Sequence, residues 1–394
     1  LKGSPAGGGR RLGDALGNLA AAEAAQGRTD EARAHAREAL EAFTSVFGPE
    51  HPETAAAQSN LAGLLVAAGA TNEAESLYRK ALASTQAAAG ERHPRVARIL
   101  SNLAALLAQR EAYAEAEDLY HTALSIRLEL RGEGDADVAA TRNNLGALYF
   151  KMCRYEDAAE QFRAALATLT AQFGDDHPQV AATALNLAKT LNELGMQHKQ
   201  RRRFDEAEPL YLEALAIRRR RLGEQSELTA TSLNNLAALR KATGRLEQAE
   251  ELYRQALAIR ENLPGDYQRE IAITRNNLAQ LALQRGDTAA AAEDFARAIA
   301  PFEGSYGVDH WLPAVVRSNY GECLIALGRY DDAETQLTTA YERLRAARGA
   351  SNAYTRKAAA RLAKLHRALG DAAQAQAWTQ RAHAGAASSS PASP

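Results

Sequence analysis

The 394-residue chain has no run of 18 apolar residues, so no stretch of it reads as a membrane-spanning helix. Cysteine is nearly missing: Cys153 and Cys323 cannot build a disulfide framework, and each reads as a small buried apolar residue. An excess of either charge is missing too. Lys and Arg number 47 against 48 Asp and Glu, so the whole molecule does not attract nucleic acid or an anionic membrane, and a charge-driven partner must meet a local patch. No GxGxxG, GxxxxGK[ST], HExxH or GxSxG occurs, and no Gly-rich loop, HRD or DFG of a kinase. The first nine residues, LKGSPAGGG, lack the apolar core of a signal peptide and begin with Leu1 instead of Met, which reads as a flexible segment of a fragment or processed form. GAASSSPASP, residues 385–394, has the composition of a disordered tail.

What the chain does contain is a repeat. Asn18, Asn60, Asn102, Asn144 and Asn186 follow one another at 42 residues; after one step of 49, Asn235, Asn277 and Asn319 resume the same interval, and a ninth slot falls on Arg361. Leucine follows the slot in eight units (Leu19, Leu61, Leu103, Leu145, Leu187, Leu236, Leu278 and Leu362), with Tyr320 as the exception. Two alanine columns keep register downstream, one running from Ala32 to Ala375 and one from Ala39 to Ala382. Between them lies an aromatic column of Tyr78, Tyr120, Phe162, Tyr211, Tyr253 and Phe295. Apolar residues recur at spacings of three and four on both sides of each turn, so each unit reads as two helices; in the fourth these run from Asp137 to about Lys151 and from Glu156 to about Phe173. A helical hairpin of this kind cannot bury its apolar face alone, and nine of them must stack. The solenoid is expected over residues 10–384, with a seven-residue insertion at 197–203, QHKQRRR, that either prolongs a first helix or protrudes as a loop. Within Arg218 to Arg221, the expected role is to complement a helix C-terminus.

The motifs NNLGALY, RYEDAAEQFRAAL, RLEQAEELYRQALAIR and FGDDHP resemble the tetratricopeptide repeat (TPR) in its 42-residue, kinesin-light-chain type, over about Arg11 to Ala384. The resemblance implies an all-α, right-handed TPR superhelix of about nine helix-turn-helix repeats. The closing repeats also look like TPR segments of bacterial serine/threonine kinases.

That resemblance gives the asparagines a role. In the TPR fold the first helix of each hairpin lines the concave wall, and kinesin light chain and the TPR region of the O-linked N-acetylglucosamine transferase use asparagines there to hold peptides. An amide both donates and accepts, so a row of them can pair with an extended backbone irrespective of its side chains. The expected peptide-binding set is Asn18, Asn60, Asn102, Asn144, Asn186, Asn235, Asn277 and Asn319, rimmed by Arg142, Lys151, Lys189, Lys241 and Arg275, whose charge favours an acidic ligand. The competing role for each asparagine is to bridge backbone of the neighbouring hairpin. His51, His93, His177 and His310 share one slot with Asp135, Ser226, Gln268 and Asn352, which marks a helix start, with proline next in three of them, and not a metal site. No catalytic residue, metal or cofactor is expected. The chain reads as a non-enzymatic scaffold or adaptor for a protein or peptide in the cytoplasm. A membrane or nucleic-acid partner is not expected, and the alternative is a sensor or substrate-recruiting segment of a larger enzyme such as a bacterial serine/threonine kinase.

Overall fold

Alanine, leucine, glutamate and arginine dominate the periodic segments, and these are the residues that lose least on entering a helix. The structure, a computed structural model, describes residues 5–383, and every regular element among them is an α-helix. The hairpins are α1 (Pro5–Ala25) with α2 (Thr29–Phe47), α3 (Pro52–Ala67) with α4 (Thr71–Ala89), α5 (Pro94–Gln109) with α6 (Tyr113–Arg131), and α7 (Ala136–Lys151) with α8 (Tyr155–Phe173). They continue as α9 (Pro178–Gln200) with α10 (Phe204–Leu222), α11 (Glu227–Ala242) with α12 (Leu246–Asn262), and α13 (Gln268–Gln284) with α14 (Thr288–Tyr306). The last two are α15 (Trp311–Ala326) with α16 (Tyr330–Arg348), and α17 (Ala353–Ala368) with α18 (Ala372–His383). None of these helices is long and apolar enough to cross a membrane. The chain forms two compact units, residues 1–191 and 192–394, whose boundary in sequence falls inside α9.

Two expectations about the ends change. The first helix starts at Pro5, inside the segment read as flexible at residues 1–9, and the residues before it lie outside those described, as does the tail from 385. Six first helices, α3, α5, α7, α11, α15 and α17, have 16 residues, whereas α9 has 23. The seven extra residues are therefore two more turns of helix, and only Arg201 to Arg203 remain in the connection to α10.

Small residues set how closely the helices approach. Ala32, Ala74, Ala116, Ala158, Ala207, Ala249, Ala291 and Ala333 are fully buried, as are Ala81 through Ala340 of the second column. The aromatic column fills the space they leave: Tyr211 and Phe295 have no exposed surface. Two places after the asparagine slot stand Gly146 and Gly321, where a Cβ would meet the Phe162 ring at 3.0 Å and Leu337 Cγ at 2.5 Å. The helices approach closely there.

Turn chemistry completes the hairpins. Six hairpin turns place glycine at positive φ, but Glu111, Cys153 and Arg202 hold that conformation without being glycine, at 62°, 58° and 60°. The Arg154 N–H reaches back to the Tyr149 carbonyl at 2.9 Å, closing the end of α7. Cys153 is thus an exposed turn residue, contrary to the expectation that both cysteines are buried; Cys323 is buried, and both are free thiols.

The buried Tyr211 hydroxyl has no hydrogen-bond partner, and burial pushes its pKa up. Phe162 and Phe295 occupy the same column without a hydroxyl to satisfy. Tyr211→Phe is therefore expected to stabilise the chain by about 1–3 kcal/mol, the cost of an unpaired buried polar group, read as a higher denaturant midpoint.

Candidate functional site

Helix α3 shows how the slot is presented. Leu61 and Ala62 are buried against neighbouring helices, which turns Asn60 on the same turn to the exposed side. Asn18, Asn102 and Asn144 are exposed in the same way. Among the described residues none of these four amides forms a hydrogen bond, and neither does the half-buried amide of Asn186. Asn18, Asn60 and Asn102 line one cavity of about 530 Å³ with Gly13, Gly17 and Gly63, small residues that leave the amides uncovered. Asp14 and Glu53 also line it, so this part of the first unit carries no positive charge.

In the second unit the amides are engaged. Asn235 Nδ2 donates to Asn192 Oδ1 at 3.1 Å and Asn277 Nδ2 to Asn234 Oδ1 at 3.4 Å, each across 43 residues. Arg361 occupies the ninth slot and repeats the contact, donating to Ser318 Oγ at 2.7 Å, again across 43 residues, to Asn319 Oδ1 at 2.9 Å and to Glu322 at 2.9 Å. Asn235, Asn277 and Arg361 thus bind the preceding repeat, while Asn319 accepts from the following one. Because Asn192 stands where Asn234 stands one repeat later, the slot of α9 in this unit's register is Glu193, and Asn186 belongs to the register of the first unit. Of the eight asparagines, five leave their amides free and three spend them on neighbouring repeats.

Of the five cations of the expected rim, the two arginines meet carboxylates and the three lysines do not. Arg142 pairs with Glu133 at 2.5 Å, and Arg275 pairs with Asp294 at 3.1 Å and with Glu261. Lys151 is exposed and reaches the Ala108 carbonyl at 3.4 Å, while Lys189 lies 4.4 Å above the Phe150 ring. Lys241 donates to Gln280 Oε1 at 3.1 Å. The guanidinium charge of Arg142 and Arg275 is thus answered by the chain's own carboxylates. Arg142, Lys151 and Lys189 belong to the first unit, and Lys241 and Arg275 to the second.

The helix-start slot behaves as its chemistry dictates. His51, His93, His177 and His310 each accept the backbone N–H two residues on through Nδ1, at 3.2–3.3 Å, and Asp135 and Asn352 do the same through their side-chain oxygens. Gln268 differs: it is itself the first residue of α13, and Asp266 accepts its N–H. Among the described residues no three metal-ligating side chains come together.

Sequence reasoning missed a column of arginines at the C-terminal ends of second helices. Arg218 is buried and donates to the Leu228 carbonyl and to Ser232 Oγ, both at 2.9 Å, so it staples α10 to α11 instead of lying in solvent at a helix end; burial lowers its pKa. Arg260 and Arg127 repeat the contact with Thr274 and Thr141, each 14 residues on. That interval, arginine followed by a hydroxyl at 14, was the available signal.

Comparison with known proteins agrees with this geometry. The tetratricopeptide repeat profile matches residues 11–87, 65–129, 95–171, 137–199, 187–262, 240–303 and 312–388. Curated protein sequences give no match. Similar solved structures include BtubC (BKLC) from P. vanneervenii, at 28% identity and TM-score 0.43 over 61% of this chain and 91% of that one. A Podosopora anserina protein described as a kinesin light chain with nearly identical TPR-like repeats is similar at 23% identity and TM-score 0.42, over 53% and 96%. The apo form of RapI aligns over 95% of this chain and 98% of its own at TM-score 0.53 and 12% identity, a likeness of fold.

Proposed function

The chain belongs to the tetratricopeptide repeat family, whose members generally mediate protein–protein interaction, and from that premise we propose that it holds an extended segment of another protein against the exposed amides of its first unit. One observation carries the reading: Asn18, Asn60, Asn102 and Asn144 stand exposed in mid-helix with no hydrogen bond of their own. Asparagine costs helix stability because its amide competes for the backbone, so four of them without a structural partner stay unexplained unless a ligand uses them. A peptide backbone offers an N–H and a C=O to each such amide, and the glycine-lined cavity leaves it room. On this reading the molecule is a non-catalytic scaffold. The same groove serves the alternative of a recruiting segment within a larger enzyme.

Asparagines of the second unit take a different part, joining repeat to repeat. The original expectation of one acidic-peptide groove along all eight therefore narrows to the first unit, where Asp14 and Glu53 argue against an acidic residue beside Asn18 and Asn60.

The test is a displayed random-peptide library selected on the purified chain, with the selected peptides then measured on an Asn60→Ala/Asn102→Ala/Asn144→Ala variant. Alanine raises helix propensity by a few tenths of a kcal/mol at each position, so the variant melts at or above the parent temperature. Peptide affinity falls at least about tenfold, since each lost hydrogen bond contributes about 0.5–1.5 kcal/mol. Undiminished binding would refute the assignment, and so would marked destabilisation, which would show that the amides serve the fold.

A further inference from the structure

We propose that Lys199 and Lys241 form an oxyanion site in the second unit, taking the phosphoryl or carboxylate group of a ligand whose apolar part lies against Phe204, Ala238, Ala242 and Tyr253. These residues, with Asn277 and Gln284, line one cavity of about 530 Å³ that no carboxylate enters. The Lys199 ammonium makes no hydrogen bond or ion pair among the described residues, and the Lys241 ammonium meets only the neutral amide oxygen of Gln280. Three other withdrawn cations of this unit are matched by carboxylates, Arg260 by Glu227, Arg275 by Asp294 and Glu261, Arg361 by Glu322, and the buried Arg218 spends its guanidinium on the Leu228 carbonyl and Ser232 Oγ. Burial lowers the pKa of both lysines, the direction an ammonium takes where it loses water without gaining a counter-charge.

Lys199 owes its place to the extra turns of α9, which carry it on a helix beside the start of α10. The insertion that reads in sequence as a solvated basic loop therefore delivers one ammonium to the cavity, while Arg201, Arg202 and Arg203 stay exposed in the turn. Two half-buried ammonium groups lining one space are poorly hydrated. An anion held between them relieves that cost. Lysine suits this role as a point charge with three rotatable donors, and the exposed Gln284 amide supplies a neutral donor beside it. The site lies wholly in the second unit and stands whether or not the first-unit asparagines hold a peptide.

The probe is inorganic phosphate, with acetate at equal ionic strength, titrated into the full chain, Lys199→Met and Lys241→Met, and followed by calorimetry and thermal unfolding. Saturating phosphate is expected to raise the wild-type melting temperature by about 2–4 °C, and each substitution to weaken phosphate binding about tenfold or more, the loss of one charge-assisted hydrogen bond. Without anion, each variant is at least as stable as wild type, because an uncompensated charge has gone. Lys199→Gln and Lys241→Gln, which keep a polar end, give the same loss of binding if methionine disturbs folding. A response to phosphate alone assigns the site to phosphoryl groups, and an equal response to acetate assigns it to carboxylates. A wild type that binds neither, variants that respond as wild type does, or variants less stable without anion would overturn the proposal.

Discussion

Replacing Arg260 by alanine is expected to lower unfolding stability by about 3–5 kcal/mol, the cost of breaking a buried ion pair from one side. The Arg260 side chain is 4% exposed. It donates to Glu227 at 2.8 and 3.0 Å, to Thr231 Oγ1 at 3.1 Å and to Thr274 Oγ1 at 2.6 Å, joining α12 to both α11 and α13. Truncation leaves the Glu227 carboxylate and two hydroxyls facing the vacated space without their donor. The expectation separates this cause from simple loss of volume: Arg260→Met with Glu227→Leu removes both charges together and is expected to recover most of the loss. Thermal and urea unfolding of the three proteins measure it. A double variant no better than Arg260→Ala would show that the hydrogen bonds to threonine, and not the charge pair, hold the three helices.

The second large effect is expected at Phe295. Its ring is fully buried among Ala279, Ala291, Ala298 and Phe302 of the core shared by the seventh and eighth repeats. Phe295→Ala removes the ring and leaves a cavity, so the cost is about 3–5 kcal/mol. Phe295→Tyr keeps the packing and costs only the burial of a hydroxyl, about 1–3 kcal/mol, as Tyr211 already bears in its own repeat. The difference between the two denaturant midpoints is the measurement. Equal losses would mean that the column tolerates a void and that the repeat depends little on the ring.

How far these features could be read from sequence depended on whether one residue type recurs at one interval. The alanine and aromatic columns, the helix-start slot and the two-helix unit were legible because close packing and N-capping demand the same small set of residues in every repeat. His93 could be read as a cap and not a ligand because Asp135 replaces it one repeat later. The fate of the asparagines was not legible. Asn60 and Asn277 look alike in sequence, yet one is free and the other donates to Asn234, and a second asparagine 43 residues earlier does not decide it, because Asn143 stands there for Asn186 and Asn276 for Asn319 without such a bond among the described residues. Arg142 and Arg275 read as groove charges because their partners Glu133, Glu261 and Asp294 lie in other helices or loops. The helix that absorbs the insertion was one of two readings, and composition alone does not decide whether QHKQRRR coils or projects.

The bonds from Asn235, Asn277 and Arg361 to the preceding repeat have a consequence for how substitutions combine. Asn235 reaches Asn192 and Asn277 reaches Asn234, but none of these links skips a repeat. Mutational free energies along this row are therefore pairwise and short-ranged. Asn192→Ala and Asn235→Ala remove two ends of one bond, so together they cost less than the sum of their separate effects, whereas Asn235→Ala and Arg361→Ala share no partner and sum. A row with that property can change one repeat at a time, because an exchange is felt by the adjoining repeat and is lost beyond it.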